Sequence, residues 1–130
     1  MKDINAFRKF GLNVEEGVSF CAEDPDFYEE MLSDFADAAP REAEALNTAL
    51  SENDLAAYAI TVHALKSSSK MIGARDLSEK ARELEQAAKS KDADAVKAAH
   101  GAFIAELETL AENLRGELRL QKEDLYGETV

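Results

Sequence analysis

The residues best suited to chemistry lie in Thr61-Val62-His63-Ala64-Leu65-Lys66-Ser67-Ser68-Ser69-Lys70-Met71-Ile72-Gly73-Ala74. On a helical wheel at about 100° per residue, Leu55, Tyr58, Val62, Leu65, Ser69 and Ile72 share one arc, the expected core face. His63 falls well outside that arc. Ala56 and Ala59 precede it and Ser67 follows it on its own face, so small residues leave the imidazole open to an incoming partner. A histidine of ordinary pKa, about 6.5, is largely neutral and nucleophilic near pH 7. It can accept a phosphoryl group from an acyl phosphate such as a phosphoaspartate. The charge on that group must be met in flight. Lys66, one turn on, is the first candidate for this role and Lys70 the second. Ile60 and Met71 lie near the same face and could seat a partner; the N-terminal segment could equally cover them.

A histidine alone on a helix is usually a solvated or packing residue, so the reading rests on its neighbours. His100, the other histidine, lies near the Val96-Phe103-Leu107 stripe and reads as a packed or rim side chain. The two histidines lack metal-ligand spacing, and the single cysteine, Cys21, has no second thiol; it reads as a small buried or half-buried group. No G-x-x-x-x-G-K-[ST] loop is present, so no nucleotide site is expected.

The elements that must hold His63 are helical. Ala, Leu, Glu, Lys and Arg dominate, with only six glycines and two prolines. Ile4, Phe7 and Phe10 are spaced for a short helical opening that docks loosely before Gly11. Asn13 and Glu16 form a capping-box pattern ahead of a short helix interrupted by Gly17. Asp24-Pro25 starts a long helix, whose stripe Tyr28, Met31, Leu32, Phe35, Ala39, Leu46 and Leu50 crosses Pro40 in phase; a kink is expected there. Asn53 or Asp54 caps the helix carrying His63, and Gly73 stops it. Asp76-Leu77-Ser78-Glu79 reads as a second capping box, opening a helix with Leu77, Ala81, Leu84 and Ala88 on its buried face. After Lys89-Ser90-Lys91-Asp92, the last helix places Val96, Phe103, Leu107, Leu110 and Leu114 on one side, a stripe that continues through Leu118 to Leu125. Short links make neighbours antiparallel, giving an all-α, up-down-up-down four-helix bundle with short N-terminal helical segments packed on it. The expected divisions are 1–11 as an N-terminal segment, 12–114 as the bundle, and 115–130 as a helix extension or tail.

The 130 residues fit one domain. With 27 acidic and 15 basic residues, net charge −12, the chain would repel nucleic acid. No apolar run approaches the roughly 18 residues of a membrane span, and the start is not a secretory signal. A cytoplasmic protein is expected.

His63-Ala64-Leu65-Lys66-Ser67-Ser68-Ser69, then Ile72-Gly73-Ala74, Leu77-Ser78 and Leu84-Glu85, resembles the histidine-phosphotransfer (HPt) domain family. The likeness runs from about Leu12 to Leu114, and Tyr28 and Met31-Leu32 before the proline-interrupted helix also fit it. It implies phosphorylation of His63 at Nε2, Lys66 as the phosphoryl-facing lysine, and no cofactor of the chain's own. Magnesium would be supplied by the partner. It further implies response-regulator receiver domains as partners, with a hybrid sensor histidine kinase as a possible upstream donor, and a phosphocarrier rather than an enzyme. Ser67 departs from the pattern where glycine is usual, and serine is small enough to keep the face open. Glu85 ends the run Lys80-Ala81-Arg82-Glu83-Leu84-Glu85, in which opposite charges lie near each other, and reads as part of an ordinary solvated helix face, structural rather than chemical. The remaining alternative is a helical adaptor that binds a signalling partner through this face without being phosphorylated; a metal or hydrolytic enzyme ranks far behind.

Overall fold

The computed structural model describes residues 3–127, with side chains through residue 123. A 3-10 turn over Ile4–Phe10 is followed by α1 (Val14–Phe20), α2 (Pro25–Ser51), α3 (Leu55–Met71), α4 (Arg75–Lys89) and α5 (Ala93–Gly127). Helices α2 to α5 form the expected bundle: α2 and α4 each pack against both α3 and α5, while α1 lies on α2 and α3 and the 3-10 turn on α5 and α1.

The caps explain where most helices begin. Asp24 accepts from the amide of Asp26 with Pro25 at the first helical position, Asp54 accepts from Ala57, and Asp92 accepts from Ala95. Asn13 accepts from the amide of Glu16, but Glu16 does not return the bond; its carboxylate pairs with Arg75 of α4. Helix α1 runs through Gly17 without interruption. The second capping box does not form. Helix α4 opens earlier, at Arg75, because the Gly73-Ala74 turn is already fixed by backbone bonds from Ala74 to Ser69 and from Asn13 to Gly73. Asp76 therefore sits inside the first turn, where its charge suits the positive end of the helix.

Core packing follows the predicted stripes. Tyr28, Leu32, Leu46, Tyr58, Val62, Leu65, Val96, Leu107 and Leu114 are fully buried. Phe7 is fully buried as well, so the N-terminal turn docks firmly rather than loosely. Gly17 faces Tyr28 and the backbone of Ile72 so closely that an added Cβ would lie 2.3 Å from Tyr28 Cε1. The Tyr28 hydroxyl donates to the Ile72 carbonyl at 2.8 Å, tying the start of α2 to the end of the His63 helix.

Helix α2 passes through Pro40 as one helix. Proline has no N–H to give the Ala36 carbonyl four residues back. Arg115 of α5 supplies the missing donor, its Nη1 lying 3.1 Å from that carbonyl. Helix α5 continues without a break past Leu114. Leu118 packs against the core, whereas the side chain of Leu125 and residues 128–130 lie outside the described residues.

Candidate functional site

Tyr58, Val62, Leu65, Ser69 and Ile72 turn one side of α3 into the core, which leaves His63 on the outer face with 57% of its side chain exposed. Ser69 is buried without cost because its hydroxyl donates to the Leu65 carbonyl at 2.6 Å. Ser78, in the first turns of α4, donates to the carbonyl of Lys66 at 3.0 Å and fixes α4 against the helix that carries the histidine.

That fixed spacing brings Glu85 of α4 under the imidazole. One carboxylate oxygen takes a bond from Lys66 Nζ at 2.6 Å; the other lies 2.7 Å from His63 Nδ1 and 3.0 Å from Lys89 Nζ. The carboxylate is only 4% exposed, so it has exchanged water for three positively charged or hydrogen-bonding partners. The Lys66 ammonium above all, then Lys89 and the His63 ring, hold the Glu85 carboxyl down at about 2, well below the usual 4.5. An ionised carboxylate can only accept. The proton of a neutral His63 therefore sits on Nδ1, and the lone pair of Nε2 faces outward. This is the tautomer that a nucleophile needs, held by an orienting carboxylate in the way that second partners orient catalytic imidazoles generally.

Glu85 is thus the residue that the sequence reading underrated: it is not an ordinary helix-face charge. Its signal was present in the sequence, because the position falls at the edge of the buried arc defined by Leu77, Ala81, Leu84 and Ala88. A carboxylate on an apolar edge requires a buried partner.

The other expected site residues separate into two groups. Ala56, Ser67 and Ile60 are exposed on the His63 side of α3, Ile60 at 74%, and Met71 is exposed at the end of the helix; the N-terminal segment covers neither Ile60 nor Met71. Ala59, at 8%, belongs to the core and offers little surface, although it does line a shallow groove with Ala56 and Ala88. Lys70 is drawn away from the histidine: its ammonium stands over the Phe20 ring of α1, 6.0 Å from the centroid. Lys89, at the end of the neighbouring helix α4, occupies the position beside Glu85 instead.

His100 is a rim residue, as its stripe suggested. Its Nε2 donates to Asn47 Oδ1 at 2.7 Å and its Nδ1 accepts from the Tyr58 hydroxyl at 2.9 Å, while partial burial lowers its pKa. Cys21 is fully buried, and burial pushes its thiol up. Among the described residues no group of three or more His, Cys, Asp or Glu side chains could hold a metal ion, and no helix is long and apolar enough to cross a membrane.

No curated protein matches the chain in sequence. Its fold is similar to that of the HPT domain from an Hpt sensor hybrid histidine kinase of Shewanella, with TM-score 0.77 and 23% identity over 85% of this chain and 96% of that one. It is also similar to histidine-containing phosphotransfer protein B of Pseudomonas aeruginosa PAO1, with TM-score 0.72 and 24% identity over 82% of this chain and 92% of the other. The sequence profile of the Hpt domain matches residues 30–125, a span that holds His63, Lys66, Glu85 and Lys89 and the whole of α3 and α4. On that match the chain belongs to the Hpt domain family, the histidine-phosphotransfer modules of phosphorelays.

Proposed function

We propose that His63 is the residue of this Hpt domain that carries the phosphoryl group, receiving it from a receiver-domain aspartyl phosphate or a sensor kinase and passing it to another receiver. The observation that carries this assignment is the bond between Nδ1 and a buried, ionised Glu85, which leaves Nε2 unprotonated and open to solvent. In the forward step the Nε2 lone pair attacks phosphorus while the P–O bond to the donor aspartate breaks, returning its electron pair to that carboxylate. The Nδ1 proton stays against Glu85, so the positive charge that develops on the ring faces a fixed negative charge. Lys66, three residues along α3 from His63 and bonded to Glu85, is the cation that meets the charge of the phosphoryl oxygens.

The chain has no nucleotide-binding loop of its own, so it acts as a carrier, and the magnesium ion used in transfer comes with the receiver. Ala56, Ile60, Ser67 and Met71 offer the surface on which a receiver would sit around His63, with Ile60 the largest apolar contact. A cytoplasmic location suits such a relay.

The test is phosphate uptake. Receiver domains charged with acetyl phosphate and magnesium should transfer an acid-labile, base-stable phosphoryl group to the wild type and none to a His63→Gln variant. Equal uptake by the two proteins, or none by the wild type across several receivers, would overturn the assignment and leave a partner-binding adaptor as the better account.

A further inference from the structure

The carboxylate that fixes the tautomer of His63 also works against it. An ionised Glu85 at 2.7 Å from Nδ1 favours a second proton on the ring, and that proton would occupy the Nε2 lone pair that must attack phosphorus. Two cations are set against this one anion. Lys66 bonds Oε1 at 2.6 Å, the oxygen that the imidazole does not use. Lys89 bonds Oε2 at 3.0 Å, the same oxygen that faces Nδ1. Helix α4 itself puts Lys89 there: it follows Glu85 by four residues, the favourable order for a carboxylate and a lysine, and it ends the helix, where the free carbonyls favour a cation. Among the described residues, the charged side chains bonded at this face are Glu85 and Lys89 from α4 and Lys66 from α3, with none from α1, α2 or α5.

We propose that Lys89 is a positioning residue of the transfer reaction: by taking up part of the negative charge of the Glu85 oxygen that faces Nδ1, it keeps the His63 ring free of a second proton at neutral pH. This rests on the reading that His63 carries the phosphoryl group, and it assigns Lys89 no contact with that group. Two ammonium groups on one carboxylate leave the cluster with one positive charge before the ring is protonated, so an imidazolium would be a third cation on a single anion. Without Lys89 the cluster is neutral, and the imidazolium gains a partner it shares only with Lys66. Glu85 then still holds the proton of neutral His63 on Nδ1, but a larger fraction of the molecules carries a ring with no free lone pair. Lys66 does not replace Lys89 in this role, because its ammonium lies on the other oxygen.

Nitrogen-15 NMR of the ring follows its protonation with no phosphoryl group present, a readout that a purely structural lysine would not move. The Lys89 side chain is 66% exposed, so water screens its charge, and Lys89→Met should raise the midpoint of the His63 titration by about half a pH unit. Lys89→Arg should keep the midpoint near the wild-type value, and Lys80→Ala, which removes a lysine paired with Glu106 elsewhere on α4, should leave it in place. Phosphoramidate then loads the histidine directly, its P–N bond breaking with loss of ammonia as the Nε2–P bond forms, so no receiver is needed. Relative to wild type at the same pH, Lys89→Met should load about threefold more slowly at pH 5.5 and equally fast at pH 9, where both rings are neutral. If the midpoint does not move, if Lys80→Ala moves it equally, or if loading slows by the same factor at both pH values, the proposal fails while the assignment of His63 stands. If the wild type takes no phosphoryl group at any pH, that assignment falls and the proposal with it.

Discussion

Replacing Glu85 by glutamine keeps the shape of the side chain and removes its charge, which tests whether this carboxylate orders the site. In the native arrangement both oxygens accept, from Lys66 on one side and from His63 and Lys89 on the other. A glutamine amide has one accepting oxygen, so its NH2 must point a donor at one of these donor groups. The free-energy difference has a ceiling set by the carboxyl group itself. Holding it at about 2 instead of 4.5 corresponds to roughly 3 kcal/mol of native-state stabilisation at neutral pH. Two of the three partners are more than half exposed, so water screens part of that, and about 2 kcal/mol is the expected loss in Glu85→Gln. For a domain of this size that is a fall in Tm of about 6–10 °C. The sign with pH is fixed. The folded-state pKa lies below the unfolded one, so the stabilisation is complete above about pH 5 and is lost as pH falls toward 2. Urea unfolding followed by circular dichroism at pH 7, 5, 4 and 3 should show the gap between wild type and variant closing as the medium becomes acidic. Nitrogen-15 spectra of the ring should show the proton of neutral His63 on Nδ1 in the wild type and distributed over both nitrogens in the variant. A gap that is absent, or that stays constant from pH 7 to pH 3, would refute the claim that an ionised Glu85 is what these donors share.

Two further outcomes follow from packing. Gly17→Ala should destabilise the fold by more than about 2 kcal/mol in thermal unfolding, since its Cβ would meet the buried, hydrogen-bonded ring of Tyr28 on one side and the Ile72 backbone on the other. Arg115→Met should cost about 1–2 kcal/mol in urea unfolding by stranding the Ala36 carbonyl, and the cost should shrink by at least half when Pro40→Ala restores the helix's own donor.

The sequence exposed the fold because each helix repeats its apolar residues at a helical period and is bounded by residues with distinct backbone chemistry. His63 was visible for the same reason: a core arc on α3 that excludes one histidine states where that histidine points. What local pattern could not supply was the partner across the gap between helices. Glu85 lies 22 residues beyond His63 and Lys89 four further on, and only the register of α3 against α4 decides that they meet. Lys70 was misplaced in the converse way. Its spacing along α3 was right, but α1, packed over the end of that helix, offers it the Phe20 ring. The start of α4 shifted because backbone bonds made by Gly73 and Ala74, which no side-chain motif records, fixed the turn first.

The bond from Arg115 to the carbonyl stranded by Pro40 also bears on how such a sequence can change over generations. A proline inside a long helix is harmful on its own, and an arginine aimed at a satisfied carbonyl contributes little, so the order of the two changes matters. The arginine can arise first as a nearly neutral surface residue, and the proline becomes tolerable only afterwards. Once both are present, losing the arginine is penalised until the proline is gone. Homologues with this proline should therefore keep a long donor at the facing position of the last helix, and homologues without it should let that position drift.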